Sequence, residues 1–253
     1  MRQDLLTDTR IVTCAEAPDL YERVPIGAEE WPKFIHHGDV TNRYWDALFE
    51  VLPEFQFALY DEASDEVVAK GQTAPVAWDR TLDGLPGGVD DVLEQALADG
   101  PSREPNTLCA LVAVVRREHQ GKGLSSRVIQ GMAALASRHG LGELIAPVRP
   151  TMKERYPLTP MDRYIRWTRQ DGLPFDPWIR VHHRLGAEIL AVAPHSLVVT
   201  GAVAEWEEWT GMAFPETGDY VVPGAVQPVT IDRERDLGRY DDANVWMRHP
   251  GES

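Results

Sequence analysis

Apolar positions along the chain fall into three spacings, and each predicts a different element. In "EFQFALYDE" hydrophobic and polar residues alternate, the period of a half-buried strand. "EVVAKGQTAPVAW" continues that pattern as a second strand, interrupted around Gly71 and Pro75. From Leu108 to Val115 the run is unbroken and β-rich, as expected of a strand buried on both faces. Helical spacing predicts "TNRYWDALFEVLP" as a helix, with Thr41 or Asn42 as its cap and Pro53 beyond its end. In "VDDVLEQALADG" the apolar stripe is Val89, Val92, Leu93 and Leu97, with Gly100 as the stop. Val128, Met132 and Leu135 form another stripe, flanked by Ile129, Ala133 and Ala136, and Gly140 closes that helix.

Further along, "ELIAPVRP" reads as a strand, and "PWIRVHHRLG" as a helix opened by Pro177 and closed at Gly186. "AEILAVAP" and "SLVVTG" read as two strands, and "AVAEWEEWTG" as a short helix packing Trp206 and Trp209 on one face. "DYVVPGAVQPVTID" and "NVWMRH" add strand material. "DGLPGG" is a loop, while residues 151–175 form a Pro-punctuated excursion of the kind that serves as a lid or binding loop. The pattern predicts one α+β domain over 1–253, with an N-terminal extension over 1–40 and a strand-rich C-terminal extension over 212–253.

A chain of 253 residues with 43% hydrophobic content can bury one large core. The opening "MRQDLLTDTRIV" has no apolar segment behind its charge, and no apolar run is long enough to cross a bilayer, so a cytoplasmic protein without membrane association is expected. Cys14 and Cys109 are too few for a disulfide framework and read as small apolar fillers. "FIHHGD" lacks further ligands at metal spacing, so no metal is expected. The net charge of −15 weighs against nucleic acid. It is uneven, however: Arg116 to Arg184 holds 13 Lys/Arg against 6 Asp/Glu. A basic middle in an acidic chain points to an anionic ligand there.

The chemistry concentrates where the apolar run stops: "VVRREHQGKGLSSRVI". A strand, a glycine turn and a helix start follow one another. A helix N-terminus offers unpaired N–H groups and partial positive charge, which attract phosphate. Gly121 and Gly123 remove side chains that would keep a ligand from the backbone. Ser125 and Ser126 can cap the helix or meet a phosphate, and Arg116, Arg117, Lys122 and Arg127 add charge. The turn has no Walker "GK[ST]" ending, and Ser126 stands where the dinucleotide fingerprint needs its third glycine.

The stretch 113–127 resembles motif A of the GNAT superfamily of acyl-CoA-dependent N-acyltransferases. Val115 ends the strand, Arg117 takes the usual proline place, and Gln120-Gly121-Lys122-Gly123-Leu124-Ser125 follows in register; serine replaces the final small Gly or Ala. A second landmark agrees, for "HHRLGAEIL" is similar to the family's later Y-x-x-x-G-[FA], with Gly186 in place and His182 where tyrosine would stand. The resemblance covers about 107–193, the expected cofactor core.

It implies a mixed central sheet splayed at a cofactor cleft and flanked by helices. It implies that Ala113, Val114 and Val115 pair with pantetheine, and that Gln120, Gly121, Lys122, Gly123, Leu124, Ser125 and Ser126 form the pyrophosphate turn of acetyl-CoA or another acyl-CoA. It implies transfer of an acyl group, acetyl first, to an amine by direct attack. His182 becomes the candidate proton donor to the leaving thiolate, on its position and on imidazole's titration near neutrality, with Tyr164, Tyr156 or water as substitutes. Glu143 is the candidate base acting through water. Arg149, Arg163 and Arg166, interleaved with Tyr156 and Trp167, favour a small anionic acceptor beneath the 151–175 segment. Two other readings stay open: a GNAT-fold transferase taking its acyl or aminoacyl group from a carrier protein or tRNA, and a non-catalytic acyl-CoA-binding domain. A homodimer also stays open.

Overall fold

The computed structural model describes residues 9–22, 31–97 and 104–250; the helix stop expected at Gly100 lies outside them. The alternating segments form antiparallel strands β1 (Thr9–Thr13), β2 (Gln56–Asp61) and β3 (Glu66–Val76), paired in that order. No break occurs at Gly71 or Pro75, since β3 runs through both. Gly71 is glycine because the Phe57 ring lies 2.4 Å from where its Cβ would stand. Antiparallel to β3 lies β4 (Thr107–Val115), the unbroken apolar run.

β5 (Glu143–Val148) is parallel to β4, and antiparallel to β9 (Leu237–His249) on its other side. β9 also pairs with β6 (Glu188–Gly201) and with β8 (Val229–Asp232), which carries β7 (Gly218–Tyr220). The two strands expected over 187–201 are therefore one. The ladder slips between Ala193↔Asn244 and Leu197↔Asp242, where Pro194 has no N–H to offer. The C-terminal segment is likewise no appendage, because β9 joins β5 to β6 in the interior of the mixed sheet.

Helices are α1 (Pro18–Glu22), α2 (Thr41–Tyr44), α3 (Ala47–Val51), α4 (Val89–Leu97), α5 (Leu124–Arg138), α6 (Met161–Tyr164), α7 (Pro177–Arg184) and α8 (Val203–Thr210). The helix expected over 41–53 is split: Leu48 N–H donates to Trp45 O and Phe49 N–H to Asp46 O, tightening the joint between α2 and α3. Thr41 caps nothing; its hydroxyl donates to Gly38 O. Period-2 alternation decides which helix each strand residue meets. Leu108 and Leu144 face α5, packing with Val128, Met132 and Leu135. Their neighbours Cys109 and Ile145 face the opposite way, towards Val92 and Leu93 of α4 and Leu48 of α3. Each buried Leu, Ile or Met contributes about 1.5–3 kcal/mol of apolar burial. Both cysteines are buried.

Candidate active site

The cleft follows from a mismatch in the sheet. β4 and β5 pair only over Thr107–Cys109 and Glu143–Ile145. In the β3–β4 ladder the register passes from Gln72↔Val112 to Thr73↔Ala110, leaving Leu111 as an inserted residue. Such a bulge bends its strand. Beyond it β4 leaves β5, and the two inner edges expose backbone groups with no strand between them. Ala110, Leu111, Val112 and Ala113 form one wall of a cavity of about 450 Å³, and Ala146, Pro147, Val148 and Arg149 the other. Ile129, Met132, Trp178 and His182 line it on the α5 face; Ile35, His36, Thr41, Asn42, Trp45, Asp46 and Val89 line it on the opposite face. The opening therefore passes through the sheet.

Of the three strand residues expected to meet pantetheine, Ala113 lines the cavity. Val114 and Val115 do not: both are buried, Val115 against α5, and its carbonyl accepts from the Gln120 side chain at 3.1 Å. Ala110, Leu111 and Val112 line it instead, a shift caused by the bulge. Gln120 thus serves to close the turn upon the strand end.

After Gln120 the backbone reverses through Gly121 (φ 73°) and Gly123 (φ 82°), left-handed dihedrals that disfavour any side chain. Among the described residues, the N–H groups of Gly121, Lys122, Gly123, Leu124 and Ser125 reach no protein acceptor; the Ser126 amide donates to Gly123 O. Five of the seven residues expected to form the pyrophosphate turn thus have bare amides, that of Gln120 donating to Arg117 O. Gly121, Lys122 and Gly123 are exposed, and the Arg127 guanidinium behind them has a buried Nε without an acceptor. The donor set suits a diphosphate.

His182 is 3% exposed and lines the cavity. Asp176 caps the helix that carries it, accepting from the N–H groups of Trp178 and Ile179. The Trp178 ring meets the imidazole edge-on, with centroids 4.5 Å apart. Its Nδ1 lies 2.8 Å from Nε2 of His249, and its own Nε2 is buried without a protein partner. Burial, then the neighbouring His249, push its pKa down to about 3. The titration near neutrality expected of it is therefore absent, and the ring is neutral at physiological pH.

The other catalytic candidates lie elsewhere. Glu143 stands at the paired end of β5 and forms an ion pair with Arg80 at 3.3 Å. The Tyr164 hydroxyl donates to Asp176 at 2.9 Å, outside the cavity lining. Burial, then the Asp176 carboxylate, raise its pKa well above the phenol range, so the hydroxyl stays protonated on Asp176. The excursion is also not a lid over the cavity, since no residue of 151–175 lines it. Tyr156, Tyr164, Trp167 and Phe175 pack on one another with centroids 5.0–6.2 Å apart. Lys153 is buried and donates to Tyr156 O and Val226 O. Arg163 and Arg166 are exposed.

Arg149 alone of that set lines the cavity. Its Nε donates to both oxygens of Asp242 (2.9 and 3.1 Å) and its Nη2 to Gly224 O, with the Tyr240 hydroxyl beside the guanidinium. Burial would lower its pKa, but Asp242 and Tyr240 outweigh it and hold the guanidinium charged. Asp242 cancels that charge, so this face carries no excess positive field. Trp31 lies 5.6 Å from the Arg149 guanidinium, and Trp45 and Asp46 complete this mouth of the cavity. Pattern reading missed Trp31, Trp45, Asp46, Asp242 and His249. Asp242 and His249 lie in a strand taken for an addition, and no spacing links His249 to a residue 67 positions earlier.

No family model matches the chain. Arginine N-acetyltransferase avaD of Aspergillus versicolor is 30% identical over 271 residues, covering 94% of this chain and 92% of that protein. Among solved structures, the GphF GNAT-like decarboxylase in complex with isobutyryl-CoA superposes with a TM-score of 0.59 at 18% identity, covering 95% of this chain and 98% of that one. The loading GNATL domain of CurA from Lyngbya majuscula gives a TM-score of 0.52 at 18% identity, covering 83% and 82%.

Proposed function

The chain belongs to the GNAT superfamily of N-acyltransferases, and from that premise we propose that it moves an acetyl group from acetyl-CoA to the amine of a cationic amino acid. The observation that carries this reading is a cavity passing through the sheet between β4 and β5, with bare main-chain amides beyond its α5 side and a hydrogen-bonding ring inside it. The bare amides of Gly121 to Ser125 and the Arg127 side chain would hold the diphosphate. The open edges of Ala110–Ala113 and Ala146–Val148 would pair with the pantetheine arm as a strand pairs.

An acyl-CoA held there supplies a thioester: its carbonyl carbon gains a bond to nitrogen and loses the one to sulfur, the nitrogen's proton passing to water and the electron pair leaving with the thiolate. His182, neutral in its pocket, is a hydrogen-bond donor through Nε2 to the developing charge rather than a source of a full proton. On the acceptor face Asp242 is tied to Arg149, so the amine proton leaves through water, with Asp46 the lining carboxylate not bound to an arginine among the described residues.

On the far face, Trp45 and Asp46 favour a positive group, the Trp31 ring already lying against Arg149. An amino acid's carboxylate would meet the Arg149 guanidinium, whose charge Asp242 already shares. Together they fit an amino acid with a cationic side chain, and the relative's own substrate makes arginine the first to try. The anionic acceptor expected from the arginine count loses its support, because Arg163 and Arg166 stand outside the cavity and Asp242 neutralises Arg149. Thiol release from acetyl-CoA with arginine, lysine, ornithine, glutamate and a simple alkylamine tests this. Release with a cationic amino acid and none with glutamate is expected; release with glutamate alone would overturn the acceptor assignment.

A further inference from the structure

His182 and His249 approach from two elements distant in sequence. α7 brings the first down over the cavity, and the last residue of β9, opposite Leu144 in the ladder with β5, brings the second. Both are buried, at 3% and 5% exposure. Two bare imidazole nitrogens 2.8 Å apart would repel through their lone pairs, so one proton stands between His182 Nδ1 and His249 Nε2. That leaves two arrangements. If His182 supplies the proton, its Nε2 carries a lone pair. If His249 supplies it, His182 must carry its own proton on Nε2, as a donor. The hydrogen bond made by one ring nitrogen sets the state of the other.

We propose that His249 is a positioning residue that donates its Nε2–H to His182 Nδ1 and so keeps the His182 proton on Nε2, directed at the acyl-transfer cleft. This rests on the reading of the cleft as the site of thioester cleavage, since a departing thiolate is stabilised by a donor and repelled by a lone pair. The buried, partnerless Nε2 of His182 is the second observation. Nothing else among the described residues occupies it, and the ring cannot turn freely against the Trp178 edge. Depressed pKa values at both rings, from burial at each, agree with a neutral pair sharing a single bridging proton.

Long-range ¹H–¹⁵N correlation spectra of the intact protein read the tautomer directly, with H182Q and H249Q assigning the signals. The expected wild-type pattern is a protonated, pyrrole-like Nε2 and a pyridine-like Nδ1 at His182; the reverse overturns the proposal whatever the catalytic data show. In kinetics, H249F is expected to lower kcat about 10- to 100-fold with the acetyl-CoA dissociation constant unchanged. H249Q, whose amide can still donate at that place, should recover most of the loss. An unchanged kcat in H249F beside a crippled H182F removes the role of His249 and leaves the proposed function standing. Full activity in H182F removes the proposed role of His182 itself, while the spectra still decide the tautomer. Should H249F fail to fold, the wild-type spectra and H249Q decide.

Discussion

The glycine turn at 120–127 and the excursion at 151–175 carry similar chemistry in their sequences, yet the fold treats them oppositely. Both are rich in arginine or lysine and both are punctuated by residues that break regular structure. In the turn, five successive amides and an arginine Nε are left without protein partners where β4 gives way to α5. In the excursion the central polar groups are used up internally. Asp176 accepts from the N–H groups of Thr151, Met152, Trp178 and Ile179 and from the Tyr164 hydroxyl. Lys153 is enclosed by two carbonyls, and four aromatic rings pack together. A polar group already satisfied stabilises the fold; one left unsatisfied beside a cavity is available to a ligand. Residue type alone does not separate the two cases.

That contrast can be broken or sharpened by substitution. The largest effect is expected from His182→Phe, which removes the donor from the cleft and should lower kcat by about 100-fold or more. Acetyl-CoA affinity by calorimetry should hardly move, and a loss confined to affinity would contradict the assignment. Asp176→Ala should lower stability by about 3 kcal/mol or more, since it strands several buried donors at once. Thermal or urea unfolding measures that loss, and the folded fraction should bind acetyl-CoA normally.

Acid should be next. His182 and His249 titrate at about 3 and about 4 in the fold, below the ordinary imidazole value near 6.5. The unfolded chain therefore binds up to two more protons between about pH 4 and 6.5. Their full stability is present above that window and is lost as pH falls through it, at up to about 2.7 kcal/mol per pH unit. Urea unfolding at stepped pH measures the slope, which H249Q should halve. Gly123→Val should weaken acetyl-CoA binding about tenfold and cost about 1–2 kcal/mol, because φ of 82° opposes a β-branched residue. Arg163→Ala with Arg166→Ala should change kcat/KM by less than about twofold; a large loss would return the excursion to the acceptor site.

Much of the cofactor half was legible because it is local. A strand, a turn and a helix start within twenty residues declare themselves by spacing, and backbone donors at a helix N-terminus follow from helix geometry whatever the rest of the chain does. β4, α5 and the positive-φ glycines were all readable in that way. His182 was also readable, through its distance from Gly186, though its titration was not, since that depends on what buries it.

The sequence by itself determined most of the central strands and helices and where a run of bare amides would stand. Only the tertiary structure decided what occupies the far side of the cleft. Trp31, Asp46, Arg149, Asp242 and His249 come together through the β4 bulge and the insertion of β9 between β5 and β6. These are long-range pairings, and whether a charge is free or neutralised depends on the partner such pairings deliver. No periodicity along the chain records that.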